Sequence, residues 1–265
     1  MKDLLTGKVL LISGGTQGIG AAVARATARE GAALMISGRN VGRGEQVAAE
    51  LRNSGTTAHF VRTDISDVAQ AQASVAATVA QFGRIDGLVN AAGLTTRGTM
   101  LDTTPELFDQ HIAVNLRAPF FLMQAAIADM KRRGAPGTIV NVISIDSHGG
   151  QAFLAPYVAA KAGLAGLTKN AAHAHRWDRI RINGLNMGWS ATDGEDQTQR
   201  SSQSADQRTQ GGDDWQAAAG ATLPMGKLGQ PDEIADFVAF LLSDRSGVVT
   251  GSVIDWDQNV IGGLG

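Results

Sequence analysis

The sequence predicts an α/β chain of the doubly wound kind, a parallel sheet covered by helices on both faces. Three observations carry this reading. Short apolar runs alternate with longer stretches of helical period along the 265 residues. A strand buried on both faces reads as a continuous apolar run, and a helix packed on it shows an apolar stripe. The first run ends in a glycine-rich turn that opens into an alanine-rich helix, and no linker divides the chain. Residues 1–265 are therefore expected to form one domain.

In order, Lys8–Ser13 reads as the first strand and Gly18–Glu30 as the helix that follows it. Ala32–Ser37 and Ala58–Arg62 are short apolar strands, separated by a helix over Val41–Asn53. A helix from Asp67 to Phe82 leads to a strand at Ile85–Asn90. A long helical pattern from Pro105 to Arg133 is expected to break once. Thr138–Ser144 is the next strand, and a helix carries Tyr157 and continues to Arg176. Ile180–Leu185, a helix at Asp232–Leu242 and a strand at Ser252–Asp255 close the pattern. Ser190–Gly220 breaks the rhythm. It is rich in Gln, Asp, Ser, Thr and Gly with Trp215 as its apolar landmark, and is expected to be a mobile substrate lid rather than core.

Bulk properties remove several classes. Charged residues are 18%, the net charge is −2 and hydrophobic residues are 43%, so no bulk charge draws the chain to nucleic acid or an anionic membrane. The absence of cysteine excludes disulfides, thiolate catalysis and cysteine-ligated metal, and fits a reducing compartment. Ahead of Gly7 and Lys8 the apolar stretch is too short for a signal peptide. No apolar run approaches the ~20 residues that span a bilayer. A cytoplasmic protein acting on a small molecule is expected.

The chemistry sits around the one tyrosine, in Tyr157-Val-Ala-Ala-Lys161, with Ser144 at the end of an apolar run before it. A lysine one helical turn after a tyrosine lies on the same face, where its ammonium favours tyrosinate and would draw the pKa down from ~10. With a strand-borne serine nearby, that is a proton-transfer group for an alcohol or a carbonyl. At the other end, Ser13-Gly14-Gly15-Thr16-Gln17-Gly18-Ile19-Gly20 lies between strand and helix, where glycines permit close backbone approach and the helix N-terminus offers free N–H groups to a pyrophosphate.

Together the G-x-x-x-G-x-G turn, Asn90-Ala-Ala-Gly93, Asn115, Ser144 and Tyr157-x-x-x-Lys161 resemble the short-chain dehydrogenase/reductase family over nearly the whole chain. The resemblance implies a single-domain Rossmann-type fold with a seven-stranded parallel sheet, a nicotinamide cofactor and a homotetramer. It implies a catalytic set of Asn115, Ser144, Tyr157 and Lys161, with Tyr157 exchanging the proton, Ser144 holding the substrate oxygen and Asn115 holding a water that links Lys161 to solvent. It assigns cofactor contacts to Gly14, Gln17, Gly18, Ile19 and Gly20 in the first turn, to Asp64, Ile65, Asn90 and Gly93, to Tyr157 and Lys161, and to Gly188 and Thr192. Where the family's usual proline would precede Gly188 this chain has Met187, which frees φ and restores an N–H.

The end of the second strand, Met35-Ile-Ser-Gly38-Arg39-Asn40, has no carboxylate for a ribose 2′-hydroxyl, whereas Arg39 could pair with a 2′-phosphate. NADP is the expected cofactor over NAD, although Gln17 stands where a second basic residue is often found. Asp146, His148, Gln151 and Trp189 join Ser144 and Tyr157 as expected substrate contacts, and their polarity suits a polyol, a sugar or a hydroxyketone. A 3-oxoacyl thioester or bulky apolar ketone is the alternative. It fits less well, because Ser190–Gly220 sets only Arg200 and Arg208 against Asp193, Glu195, Asp196, Asp206, Asp213 and Asp214. A non-catalytic dinucleotide sensor would have no use for the intact Asn-Ser-Tyr-Lys set.

Other clusters carry no function. His173 and His175, two apart on a helix, point to nearly opposite sides and cannot share a metal. The Asp193–Asp196 carboxylates read as solvated, and Lys131-Arg132-Arg133 as cations at a helix C-terminus. The tail after Ser252 is expected to pack across a subunit boundary.

Overall fold

The computed structural model describes residues 3–200 and 213–261. Seven parallel strands form one sheet: β1 (Val9–Ser13), β2 (Ala33–Gly38), β3 (Ala58–Arg62), β4 (Gly87–Asn90), β5 (Gly137–Val142), β6 (Ile180–Met187) and β7 (Val253–Trp256). Their spatial order is β3-β2-β1-β4-β5-β6-β7. The central strands are apolar throughout because both their faces are covered. Leu10 and Ile12 of β1 and Ile36 of β2 point into one core, with α1 (Gly18–Arg29), α2 (Val41–Asn53) and α9 (Pro231–Leu242). Leu11, Met35 and Leu88 point into the other, with α3 (Val68–Phe82), α5 (Ala118–Arg132) and α6 (Ala155–His175).

Chain order reverses between β1 and β4. Connections leave β1 for β2 and β3 on one side, and return to β4 on the other. That places a crevice beyond the carboxyl ends of these two strands, the place where doubly wound sheets take ligands. Two loops flank the crevice, the glycine-rich one after β1 and the one after Asn90.

Helix starts follow local chemistry. Asn40 caps α2 by accepting from the Arg43 N–H at 3.0 Å, and Asp67 caps α3 by accepting from Ala69 and Gln70. Gly83, at φ 78°, ends α3 in the left-handed conformation. The long helical pattern does break: α4 (Pro105–Ile112) passes through a π-helical segment, Ala113–Arg117, into α5. Single wide turns of this kind tend to mark functional positions, and Asn115 is at the centre of this one.

One expectation changes. The segment from Ser190 contains α7 (Asp193–Arg200) and α8 (Trp215–Ala221), and it has a small core of its own. Trp215 is fully buried with Ala219 and Leu228, against Trp189, Ala191 and Leu223. Residues 201–212 of the expected lid lie outside the described residues. The described part of the tail also makes bonds within the chain. Gln258 accepts from the Met225 N–H at 2.7 Å and donates to the Lys227 carbonyl at 2.8 Å. Asp255 accepts from Asn186 Nδ2 of β6 at 2.8 Å.

Lys131 and Arg133, expected as dipole partners, also pair with Asp178 and Asp129 respectively, and His175 joins Asp178 at 2.8 Å.

Candidate active site

One strand and one helix bring the site together. Ser144 follows β5, Tyr157 lies in the first turn of α6 behind Pro156, and Lys161 follows one turn later. All three are buried, Ser144 at 7%, Tyr157 at 9% and Lys161 at 3% exposure. The Lys161 ammonium donates to the Val142 carbonyl at 2.8 Å and sits 5.6 Å from the centre of the Tyr157 ring.

Ser144 is the best-connected hydroxyl of the site. It accepts from the Asp146 N–H at 3.2 Å, donates to Asp146 Oδ2 at 3.0 Å and is hydrogen-bonded to the Tyr157 hydroxyl. Asp146 and Ser147 lie in a short 3-10 turn, Ile145–His148, that begins at Ser144.

Electrostatics here differ from the sequence expectation. Burial pushes the Tyr157 phenol above its ordinary value, and the carboxylates of Asp146 and Glu195 push it further, while the bond to Ser144 works against them. The same burial lowers the Lys161 ammonium to about 8. Lysine does not bring the phenol down, because its ammonium faces the ring and the Val142 carbonyl and because a low-dielectric site penalises both charged forms.

Asn115, fully buried, spends its side chain on structure. Its Oδ1 accepts from the Leu94 N–H and its Nδ2 donates to the Leu94 carbonyl, both at 2.9 Å, and Nδ2 also reaches His111 Nδ1 at 3.1 Å. His111 donates from Nε2 to the Thr96 carbonyl at 2.9 Å, which leaves Nδ1 as the acceptor and the ring neutral. Burial lowers its pKa, in keeping with that form. Its ring meets the edge of Tyr157 at 6.2 Å between centroids. Sequence reading missed His111; the clue was its place one helical turn before Asn115 on the same face.

The crevice suits a dinucleotide. Gly14 is at φ 81° and Gly18 at φ 51°, and a Cβ on Gly14 would come within 2.5 Å of the Ala92 nitrogen. The N-terminus of α1 has no side-chain cap and no acidic residue in its first turn, so its N–H groups and dipole remain for an anion. At the carboxyl ends of the strands, Ser37, Ser13 and Asn90 stand in one register row, and among the described residues Ser37 Oγ, Ser13 Oγ and Asn90 Oδ1 are buried without a protein partner.

Of the other expected cofactor residues, Ile19 and Ile65 place their side chains in the two cores, which leaves only their backbones for a ligand. Asp64 Oδ1 accepts from both the N–H and the hydroxyl of Ser66, at 3.0 and 2.7 Å. Those Ser66 bonds, and to a lesser extent the charge of the exposed Arg39, hold the Asp64 carboxyl below its ordinary range. Gly93 borders Asn115, where a Cβ would be 3.5 Å from Oδ1. Thr192 faces the glycine turn, its Cβ 3.8 Å from where a Gly18 Cβ would be. Gly188 is close instead to the tail, since its Cβ would meet Asp257 Oδ1 at 2.1 Å. The Met187 that replaces the usual proline simply continues β6 in register with Trp256.

A second basic residue does reach the glycine turn, from an unexpected direction. Arg43, in the first turn of α2, donates to Gln17 Oε1. Arg43, Gln17, Gly18 and Thr192 line one groove of about 560 Å³ beside α1. The pairing spans two elements, which is why it could not be read from the loop alone.

The expected substrate contacts divide. Asp146 faces Tyr157. His148 donates from Nε2 to Asp255 Oδ1 at 2.8 Å, beside Asn186. Gln151 lies half-buried between that turn and α6. Trp189 packs on Trp215 at 6.2 Å and donates from Nε1 to Glu195 Oε1 at 3.0 Å. Glu195, read from sequence as solvated, is thereby half-buried at the site, and it also accepts from Gln199 at 2.6 Å.

The chain is similar along most of its length to known proteins. A family model described as enoyl-(acyl carrier protein) reductase matches residues 14–259. An L-rhamnose 1-dehydrogenase (NAD(P)(+)) of Azotobacter vinelandii is 35% identical over 94% of this chain and 94% of its own. A cyclopentanol dehydrogenase of Comamonas is 35% identical over 92% of this chain and 93% of its own. An actinorhodin polyketide ketoreductase variant, solved with NADPH, superimposes with a TM-score of 0.89 at 28% identity, covering 97% of this chain and 98% of that one. The chain therefore belongs to the short-chain dehydrogenase/reductase family, as an NAD(P)-dependent enzyme of its alcohol dehydrogenase and ketone reductase class. No helix among the described residues is long and apolar enough to cross a membrane.

Proposed function

We propose that the enzyme interconverts a secondary alcohol and a ketone on a small, hydroxylated substrate such as a polyol, a sugar or a hydroxyketone, with NADP preferred over NAD. The observation that carries this reading is the buried Ser144–Tyr157 pair with two carboxylates, Asp146 and Glu195, beside it. Polar groups of that density suit a substrate able to hydrogen-bond to them and would disfavour an apolar acyl chain, whose burial would strip them of partners. The rhamnose dehydrogenase name supports a sugar-like substrate, while the cyclopentanol dehydrogenase name keeps plain cyclic alcohols in the test panel.

Tyr157 exchanges a proton with the substrate oxygen, and Ser144 holds that oxygen by a bond that strengthens as negative charge grows on it. A nicotinamide dinucleotide held in the crevice would supply the two-electron hydride chemistry at the carbinol carbon. Lys161 keeps a positive charge under the ring and would bond the nicotinamide ribose. Asn115 positions the Leu94 loop, and through His111 the edge of Tyr157. Gly14, Gly18, Gly20 and the α1 amides would hold the pyrophosphate, with Asp64, Asn90 and Gly93 along the adenosine side and Thr192 at the nicotinamide side. Segment 190–220 would close over the substrate. A cytoplasmic homotetramer completes the proposal.

The same electrostatics set a pH dependence. Below about 8 Lys161 keeps its proton, and Tyr157 keeps its own to beyond the ordinary phenol range. Reduction draws a proton from this coupled pair and oxidation gives it one. Oxidative kcat/KM should therefore rise, and reductive kcat/KM fall, across a profile from about pH 6 to about pH 10. An oxidation rate flat over that range would remove the pair from the reaction.

Cofactor choice is tested at the arginines. Arg39→Ala and Arg43→Ala should each raise KM for NADP about tenfold and leave KM for NAD within about twofold, a charged hydrogen bond being worth about 1.5–3 kcal/mol. Equal losses with both cofactors would mean that neither arginine reads the 2′-phosphate. The function itself is tested by following reduced-nicotinamide formation with NAD and NADP across polyols, aldoses and simple secondary alcohols, with Tyr157→Phe as the blank. Turnover confined to apolar substrates would contradict the polar reading.

A further inference from the structure

The Ser144 hydroxyl has one proton to give and two lone pairs to receive. That proton goes to Asp146 Oδ2 at 3.0 Å, and the hydroxyl oxygen accepts from the Asp146 N–H at 3.2 Å. A serine so committed cannot donate to a substrate oxygen until Asp146 is offered another donor. The carboxylate is itself fixed. It rises from the short turn after β5, and a Cβ on Gly150 would meet its Oδ1 at 2.6 Å, so that turn closes directly on it.

We propose that Asp146 selects the substrate by releasing Ser144: a hydroxyl or ammonium on the carbon next to the reacting one binds Asp146, and the Ser144 proton is then free for the reacting oxygen. Geometry favours the neighbouring carbon. The two oxygens of a gauche vicinal diol are about one hydrogen-bond length apart, roughly 2.8 Å, which matches the 3.0 Å between Ser144 Oγ and Asp146 Oδ2. Such a substrate meets the pair with two parallel bonds, one to each. A plain secondary alcohol offers nothing to Asp146 and has to compete with it for the Ser144 proton. A carboxylate on the neighbouring carbon is repelled, and Glu195 on the α7 side adds to that repulsion. This inference rests on the polar-substrate reading above and narrows it to vicinal diols, α-hydroxyketones and vicinal amino alcohols.

Four three-carbon substrates share one secondary carbinol and test the idea: isopropanol, propylene glycol, isopropanolamine and lactate. With cofactor-saturated enzyme, propylene glycol and isopropanolamine should exceed isopropanol and lactate in kcat/KM by about 10- to 100-fold, the span of one charged hydrogen bond. Asp146→Ala should bring propylene glycol and isopropanol within about threefold of each other. Asp146→Asn, which preserves the turn, should keep more of the preference for propylene glycol than for isopropanolamine. Calorimetric titration of cofactor-saturated Tyr157→Phe protein gives a readout without turnover, and there propylene glycol should bind more tightly than isopropanol only while Asp146 is present. A diol preference unchanged in both Asp146 variants overturns the inference and leaves the polar-substrate reading standing. Turnover of isopropanol equal to that of propylene glycol in the unsubstituted enzyme overturns it too. Failure of polyols, sugars and all four probes alongside reduction of apolar ketones would overturn both.

Discussion

Tyr157→Phe is expected to lower kcat/KM by about 10²- to 10⁴-fold, the usual worth of a positioned general acid or base. The substitution removes one oxygen and keeps the ring, so the edge contact with His111 and the Lys161 ammonium over the ring face should both persist. The phenol is also the sole tyrosine of the chain, and no second hydroxyl of comparable acidity can replace it. Ser144 cannot do so, because an aliphatic hydroxyl is far less acidic than a phenol. Cofactor affinity, followed by nicotinamide fluorescence, should change by less than about threefold, since the substitution removes one hydroxyl and no charge. A drop in turnover below about tenfold would mean that another group handles the proton.

Trp215→Ala is expected to cost about 3–5 kcal/mol locally, as large-to-small changes at fully buried aromatics do. The loss should be confined to one region, because the Trp215 cluster is separate from the two cores that flank the sheet. Trp215 also ties α8 to α7, donating from Nε1 to Asp196 Oδ1 at 2.9 Å. Hydrogen exchange should therefore quicken in Asp193–Arg200 and Trp215–Ala221 while the sheet keeps its protection. The substrate KM should rise along with it, because Trp189 and Glu195 lose the platform that holds them. Uniform loss of protection over the whole chain would instead make this cluster part of the main core.

What the sequence made legible follows from how local the underlying physics is. Strands buried on both faces declare themselves as apolar runs, and their caps and turns depend on residues three or four apart. The fold and the Ser144, Tyr157 and Lys161 positions could therefore be read directly. Properties set by distant partners could not. The Tyr157 phenol was expected to be acidified by Lys161, yet burial and the carboxylates of Asp146 and Glu195 raise it. Arg43 comes to Gln17 from another helix. His148, read as a substrate contact from its position in the turn, also pairs with Asp255, 107 residues later, a partner no local pattern announces. Trp215, set in a polar stretch, gave no sign that Ala219, Leu228 and Trp189 would gather around it.

Because Tyr157 stands alone, a single absorbance titration reports the state of the group at the centre of this account. Tyrosinate absorbance of the protein without added cofactor should stay flat as pH passes through about 8, where Lys161 gives up its proton, and should begin to rise only above the ~10 of an ordinary phenol. That result would establish Tyr157 as a buried acid whose proton is kept for the substrate. A tyrosinate signal developing below ~10 would contradict it and would mean that the Lys161 ammonium, rather than burial, governs the phenol.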